Sequence, residues 1–293
     1  MSAATTTPGA ARALATTRSG PTFARLLAAE WTKLTSLRSP WWVATVTVLV
    51  TGAITYLGAQ ASSVDHGFDP VDSLSTGLLL GQVGPLVLGV LVGAGEFRTG
   101  AFRTTFTLAP RRLPVLGAQV LAVTAFGLAL AVAATAACVV GVWPPAASRD
   151  VALDLTGGDA PGLLLGMVAF GVGLALFGLA LGALLRRTVP AMLTGLFAVL
   201  VLPIVLMLVS DPMIGADPAS AGLSDGAAPI TVPGTLMTFS PGGAAQLMTI
   251  PASYGPIDGA PDLGPVGGGL VLVAWILVVL AAAAVRLHGR DVR

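Results

Sequence analysis

The sequence predicts an all-α membrane protein with six transmembrane helices, and three observations predict it. Of the 293 residues, 55% are hydrophobic and only 10% are charged, against about 25% charged in an ordinary soluble domain. So few charges cannot coat a surface that faces water on all sides. The apolar residues gather in six stretches of the roughly 20 residues that a helix needs to cross a hydrocarbon core. The charges between the stretches then alternate, basic in one connection and acidic in the next. The net charge of +1 gives no reason to expect a nucleic-acid partner.

Residues 1–21 contain almost nothing large to bury and read as a disordered cytoplasmic tail. Nothing there resembles a secretory signal, because the first apolar run starts only near Trp41. Residues 22–293 read as a single transmembrane domain. Phe23, Leu26, Leu27, Trp31, Leu34 and Leu37 recur at helical spacing, with Arg25, Glu30, Lys33 and Arg38 between them. That spacing predicts an amphipathic helix in the inner interface, ended by Pro40. Its role as a simple basic anchor and its role as a partner-binding helix are both open at this point.

The spans are expected at about 42–60, 74–95, 114–142, 162–185, 188–209 and 266–285. Trp41 and Trp42 open the first at the interface, and Trp143, Pro144 and Pro145 close the third. Only Arg186-Arg187-Thr188-Val189-Pro190 separates the fourth from the fifth. Two arginines at the centre of one long helix would cost roughly 2.5–3.5 kcal/mol each. Pro190 suits the first turn of a new helix, so a tight hairpin is expected.

Twelve basic residues flank the spans on one side: Arg25, Lys33 and Arg38, then Arg98, Arg103, Arg111 and Arg112, then Arg186 and Arg187, and finally Arg286, Arg290 and Arg293. Arg149 stands alone on the other side, together with eleven of the fourteen acids. Basic residues near span ends stay in the cytoplasm. Both termini are therefore expected inside.

No Asp, Glu, Lys, Arg or His lies within a span. Ionisable groups at membrane depth mark proton relays and charged-substrate sites, so proton-coupled transport is not expected, whereas a sodium site of carbonyls and hydroxyls stays open. His66 and His288 fall on opposite sides, and the lone Cys138 has no histidine at its depth. The only lysine, Lys33, is followed by Leu34, so the Gly-Lys-Ser/Thr of a phosphate-binding loop is absent. No catalytic, cofactor or metal site is expected, and the chain is not expected to be an enzyme. Gly77/Gly81, Gly89/Gly93, Gly162/Gly166 and Gly178/Gly182 are each four apart, the spacing of close helix contact. Such ridges serve contacts within the chain, a dimer seam or a sliding interface.

The connection from Glu96 to Arg112 holds Phe97, Phe102 and Phe106 among basic residues. Phe102 and Phe106 share a helical face. A short helix with an apolar face and flanking charges suits a cleft in another protein as well as the lipid interface. On the acidic side, residues 211–265 contain no Lys or Arg, and nine prolines and nine glycines among 55 positions break up regular structure. Thr235–Ile250 is apolar within that stretch, and Ser240-Pro241 is a fitting helix start. One or two short helices dipping into the outer leaflet are expected there, with a floppy connector as the alternative.

Two segments carry a resemblance. Glu-x-x-Lys-x-x-x-x-Arg (Glu30, Lys33, Arg38) before the first span is similar to the start of permease subunits of the type-2 ABC exporter family. Glu-Phe-Arg-Thr-Gly-x-x-Arg-Thr-Thr-x-Thr-x-x-Pro-Arg-Arg (Glu96–Arg112) resembles that family's cytoplasmic loop after the second span, and the six-span layout matches. The composition resembles that of a high-GC bacterial genome. The resemblance implies a coupling helix in the 96–112 loop, seated in a groove of a separate ATPase subunit. It carries over Glu96, Arg98, Phe102, Arg103, Phe106 and Arg112 as ATPase-facing, with Glu30 and Lys33 beside them. It also implies two ATPase subunits, a second permease chain (a copy or a sister), a location in the plasma membrane, and short external helices between spans five and six. The function so implied is ATP-driven export of a hydrophobic or amphiphilic substrate such as a drug, antibiotic, peptide or lipid. The alternative is a non-transporting membrane scaffold or sensor subunit that recruits a cytoplasmic partner.

Overall fold

The computed structural model describes residues 22–64, 66–99, 112–210, 230–251, 254–255, 257 and 259–288. Among the described residues there is no strand. Six helical stretches are long and apolar enough to cross a membrane: Arg38–Ser62, Leu78–Gly95, Leu113–Ser148, Ala160–Leu185, Thr188–Val209 and Gly264–Arg286. The elements are α1 (Phe23–Ser36), α2 (Arg38–Ser62), α3 (Leu78–Gly81), α4 (Val83–Thr99), α5 (Arg112–Ser148) and α6 (Ala160–Leu185). Then come α7 (Thr188–Leu196), a π-helical turn (Phe197–Val201), α8 (Leu202–Ser210), α9 (Val232–Phe239), α10 (Pro241–Leu247) and α11 (Gly264–His288).

Glycines decide how closely the helices approach. A methyl group on Gly89 or Gly93 would collide with the carbonyls of Ala175 or Leu179, and one on Gly178 with the carbonyl of Leu86. On Gly182 it would come within 2.8 Å of the Val90 oxygen. The α4 and α6 backbones therefore touch along two reciprocal glycine ridges, and this is the most extensive contact in the fold. A second seam is a zipper of unlike residues. Thr47, Thr51 and Thr55 form the buried stripe of α2, and they meet Gly84, Gly81 and Gly77 in antiparallel order. The Gly77 N–H donates to Thr55 Oγ1 at 3.2 Å. Three of the four glycine ridges thus have at least one member in close contact within the chain at these seams, and in the fourth Gly166 faces the carbonyl of Met248. Of these eight ridge glycines, only Gly162 has open space where its side chain would be.

Helix ends depart from the sequence expectations where proline is concerned. α1 stops at Leu37, which is extended (φ −82°, ψ 141°), and Pro40 falls in the first turn of α2, where its missing donor is not needed. α5 runs through Pro144 and Pro145 to Ser148 and does not close at Trp143: the two prolines give up the bonds to the Val140 and Gly141 carbonyls, a loss confined to the last turns of the helix. The second span begins at Leu78, four residues later than expected, and breaks at Gln82. Pro85 explains the break, since it offers no N–H to the Gly81 carbonyl and its ring crowds that oxygen. The Arg186-Arg187 break forms as expected. Arg186 adopts a left-handed conformation (φ 57°), with its N–H on the Gly182 carbonyl at 2.9 Å, and α7 begins two residues later.

Antiparallel and parallel contacts alternate so that the chain has two distinct ends. Arg25, Lys33, Arg38, Arg186, Arg187 and Arg286 share the end that carries α1, while Asp69, Asp72, Asp154, Asp159 and Asp262 lie at the far end.

Candidate functional site

Between the fifth and sixth apolar stretches the chain does something that a simple connector would not. The Thr231 hydroxyl caps α9 by accepting the Gly234 N–H at 3.1 Å, and it donates to the Gly259 carbonyl at 3.1 Å. Ser240 ends α9 and caps α10, accepting the Gly243 N–H at 3.0 Å and donating to the Met237 carbonyl at 2.8 Å. Pro241 follows at the first helical position. Trp275 Nε1–H donates to the Phe239 carbonyl at 2.9 Å. Trp275 stands eleven residues into α11, about 16 Å along the helix, so the α9–α10 corner sits near that helix's mid-length. Ser240 to Ala245 are all buried. Non-helical backbone survives at such a depth only where protein encloses it and its polar groups are satisfied, and the Ser240 and Trp275 bonds do this.

Opposite the corner the fifth stretch carries its π turn. The Leu202 N–H reaches five residues back to Phe197. Pro203 is the cause: it has no N–H for the Val199 carbonyl and its ring displaces that oxygen. Gly242 of α10 takes up the disturbed surface, because a Cβ there would lie 2.5 Å from Val199 O and 2.7 Å from the Pro203 ring. A proline-kinked helix and a short helix at mid-depth therefore share one tight contact. Sequence reading foresaw the α10 cap but missed the π turn, although Pro203 in mid-stretch was a visible signal.

Two cavities adjoin this region at the far end. One of about 680 Å³ is lined by Asp69, Asp72, Asp154 and Asp159. Asp154 accepts from Thr156 N–H, Thr156 O–H and Gly157 N–H, which hold its carboxyl below the ordinary value. The Tyr254 hydroxyl bonds to Asp72, and that carboxylate pushes the phenol above its ordinary value. The other cavity, about 570 Å³, lies between α6 and α11 and is predominantly apolar. Among the described residues no group of His, Cys, Asp and Glu could hold a metal ion.

At the α1 end, the structure unites two of the residues singled out by sequence. Lys33 Nζ bonds Glu30 Oε1 at 2.6 Å. Glu30 is only 6% exposed and faces the bundle, whereas the Lys33 side chain stays half-exposed. Leu34 is buried against the α5 side chains Ala122, Val123 and Phe126, but Phe23, Trp31 and Leu37 remain exposed. Glu96 and Arg98 occupy the last turn of α4, and Arg112 opens α5, as backbone positions. Phe102, Arg103 and Phe106, with the expected coupling helix, lie outside the described residues. Sequence reading did not find the reciprocal clamp nearby: Arg186 Nη2 donates to the Arg286 carbonyl at 3.0 Å, and Arg286 Nη1 donates to the Leu184 carbonyl. Each guanidinium thus serves carbonyls at a helix C-terminus, where positive charge is favoured.

No protein-family model matches the chain, and no curated protein matches it. Its class rests on its own architecture, which is all-helical among the described residues, with six helices of membrane-crossing length and hydropathy. That fits a multi-pass integral membrane protein.

Proposed function

We propose that the chain is the membrane-spanning permease subunit of an ATP-driven ABC exporter for a hydrophobic or amphiphilic substrate. ATP would be hydrolysed by a separate subunit present in two copies, and a second permease chain, identical or sister, would complete the unit. One observation carries most of the support. The basic end gathers α1, the last turn of α4 and the first turn of α5, so the Glu96–Arg112 connection leads out of α4, one of the two helices of the central seam, into α5. A push there would reach α6 directly, because the α4–α6 ridges leave no slack. Nearer mid-depth, the kinked fifth helix and the α9–α10 corner that packs against it supply a second bend in the bundle. The aromatic-flanked, uncharged spans suit the bilayer of a plasma membrane with both termini inside, and α9–α10 would then enter from the outer leaflet.

On this reading Phe102 and Phe106 seat in the ATPase groove, with Glu96, Arg98, Arg103 and Arg112 around them. Lys33 is an exposed charge of α1, and it is paired with Glu30. The test is co-purification with an ATPase and ATP-dependent transport in vesicles. Phe102→Asp and Arg103→Glu are each expected to abolish transport, and Phe102→Asp also to release the ATPase. Unchanged assembly and transport in both variants would overturn the reading.

A further inference from the structure

The cavity between α6 and α11 has an unusual build. Along α6 it is floored by Gly162 and Gly166, and along α11 by Gly269, with Met248 between them. From Gly162 to Ala169 it follows α6 for seven residues, about 10 Å. Its rim includes Leu165 and Val266, which are 72% and 77% exposed, so it opens sideways onto the lipid-facing surface. A volume of about 570 Å³ lies within the usual range of roughly 300–1,000 Å³ for small-molecule sites.

It adjoins the aspartate-lined cavity, since Gly158 and Asp159 line both spaces. The combined lining has four aspartates and no lysine or arginine. The N-terminus of α6 opens here, and its partial positive charge of about half a unit offsets only a fraction of that field. The carboxylates are not arranged to hold a metal ion. They form a broad negative field beside a slot of hydrocarbon.

We propose that this groove takes the chain of a single-chain amphiphile, and that the aspartate bowl takes its cationic head. An anionic head would meet four carboxylates, and a bilayer phospholipid would place its phosphate among them. An organic cation, weakly hydrated and diffuse in charge, matches both halves of the site. This deepens the exporter reading by naming a substrate class, and it rests on that reading for its transport role alone.

The experiment uses the full chain in nanodiscs of phosphatidylcholine with a photoreactive dodecyltrimethylammonium probe and its dodecylsulfonate counterpart. Labelled residues are mapped by mass spectrometry. The cationic probe is expected to label α6 and α11 near Leu165 and Val266 about tenfold more than the anionic one at low salt. That preference should shrink at 1 M salt. Gly162→Leu, which enters open space, is expected to abolish labelling while leaving the thermal unfolding midpoint unchanged. Asp69→Asn with Asp159→Asn is expected to bring cationic labelling down to the anionic level. Equal labelling by both probes, or labelling indifferent to Gly162→Leu, would overturn the proposal and leave a lipid groove only. No ATPase is present in this assay. Site-specific cationic labelling in a chain that never associates with an ATPase would keep the site and remove the exporter. An ATPase-coupled chain without head-group preference would do the reverse.

Discussion

α6 meets α4 along one flank and α11 along another, and glycine does opposite things at the two. Against α4, Gly178 and Gly182 face backbone carbonyls directly, and Gly89 and Gly93 answer from the other side. The seam closes completely. Toward the far end, Gly166 is stopped by the Met248 carbonyl and Gly162 meets nothing, so the groove beside α11 remains. The same residue type at the same spacing therefore gives a sealed contact where two ridges face each other, and a cavity where one ridge faces a bend in the chain. A glycine ridge in a membrane helix is permission for close approach, and the partner decides whether it is used.

The largest effect that tests this contrast is a methyl group at each place. Gly178→Ala is expected to destabilise the chain by about 3 kcal/mol, since the colliding atom is backbone and cannot swing aside. Gly162→Ala should stay within about 0.5 kcal/mol. Reversible unfolding in bicelles measures both, and equal costs would break the comparison. Next is the arginine clamp that ties α6 to α11 at the opposite end from the groove. Arg186→Ala and Arg286→Ala should each cost about 2 kcal/mol, as charge-assisted bonds to carbonyls do. The double variant should cost less than their sum, because each guanidinium serves the other's helix end. Strict additivity in the cycle would show two independent bonds.

Smaller is Trp275→Phe, which keeps the ring packed against α9–α10 but removes the donor to Phe239. A loss of about 1 kcal/mol is expected, with faster amide exchange at residues 238–244. The smallest effect is at Asp154. Its folded-state carboxyl sits below the ordinary carboxylate value because it accepts three hydrogen bonds. Its contribution is therefore present above the unfolded-state value and is lost as pH falls through the lower folded one. Amide exchange at Thr156 and Gly157 should rise only at strongly acid pH, and Asp154→Asn should remove that acid dependence.

The six helices were legible because hydropathy and charge act locally: a stretch of about 20 apolar residues has few alternatives to a buried helix. The Arg186-Arg187 turn and the Ser240-Pro241 cap were legible for the same reason, since two adjacent arginines or a Ser-Pro pair carry their meaning within a few residues. Proline was read too strictly. Pro40, Pro144 and Pro145 looked like terminators, yet Pro40 falls in a first turn, where a missing donor costs little, and α5 continues to Ser148 past Pro145, while Pro85 and Pro203, inside their spans, make the breaks.

The sequence by itself determined the class of the protein, its segmentation and the separation of basic from acidic connections, because these follow from composition over short windows. The tertiary structure alone decided which glycines close a seam, that Glu30 is buried while its partner Lys33 stays half-exposed, that two arginines a hundred residues apart cap each other's helices, and that an apolar groove adjoins an acidic bowl. Those features depend on which helix faces which, and the hydropathy that marks a helix as a span does not say which neighbour it packs against.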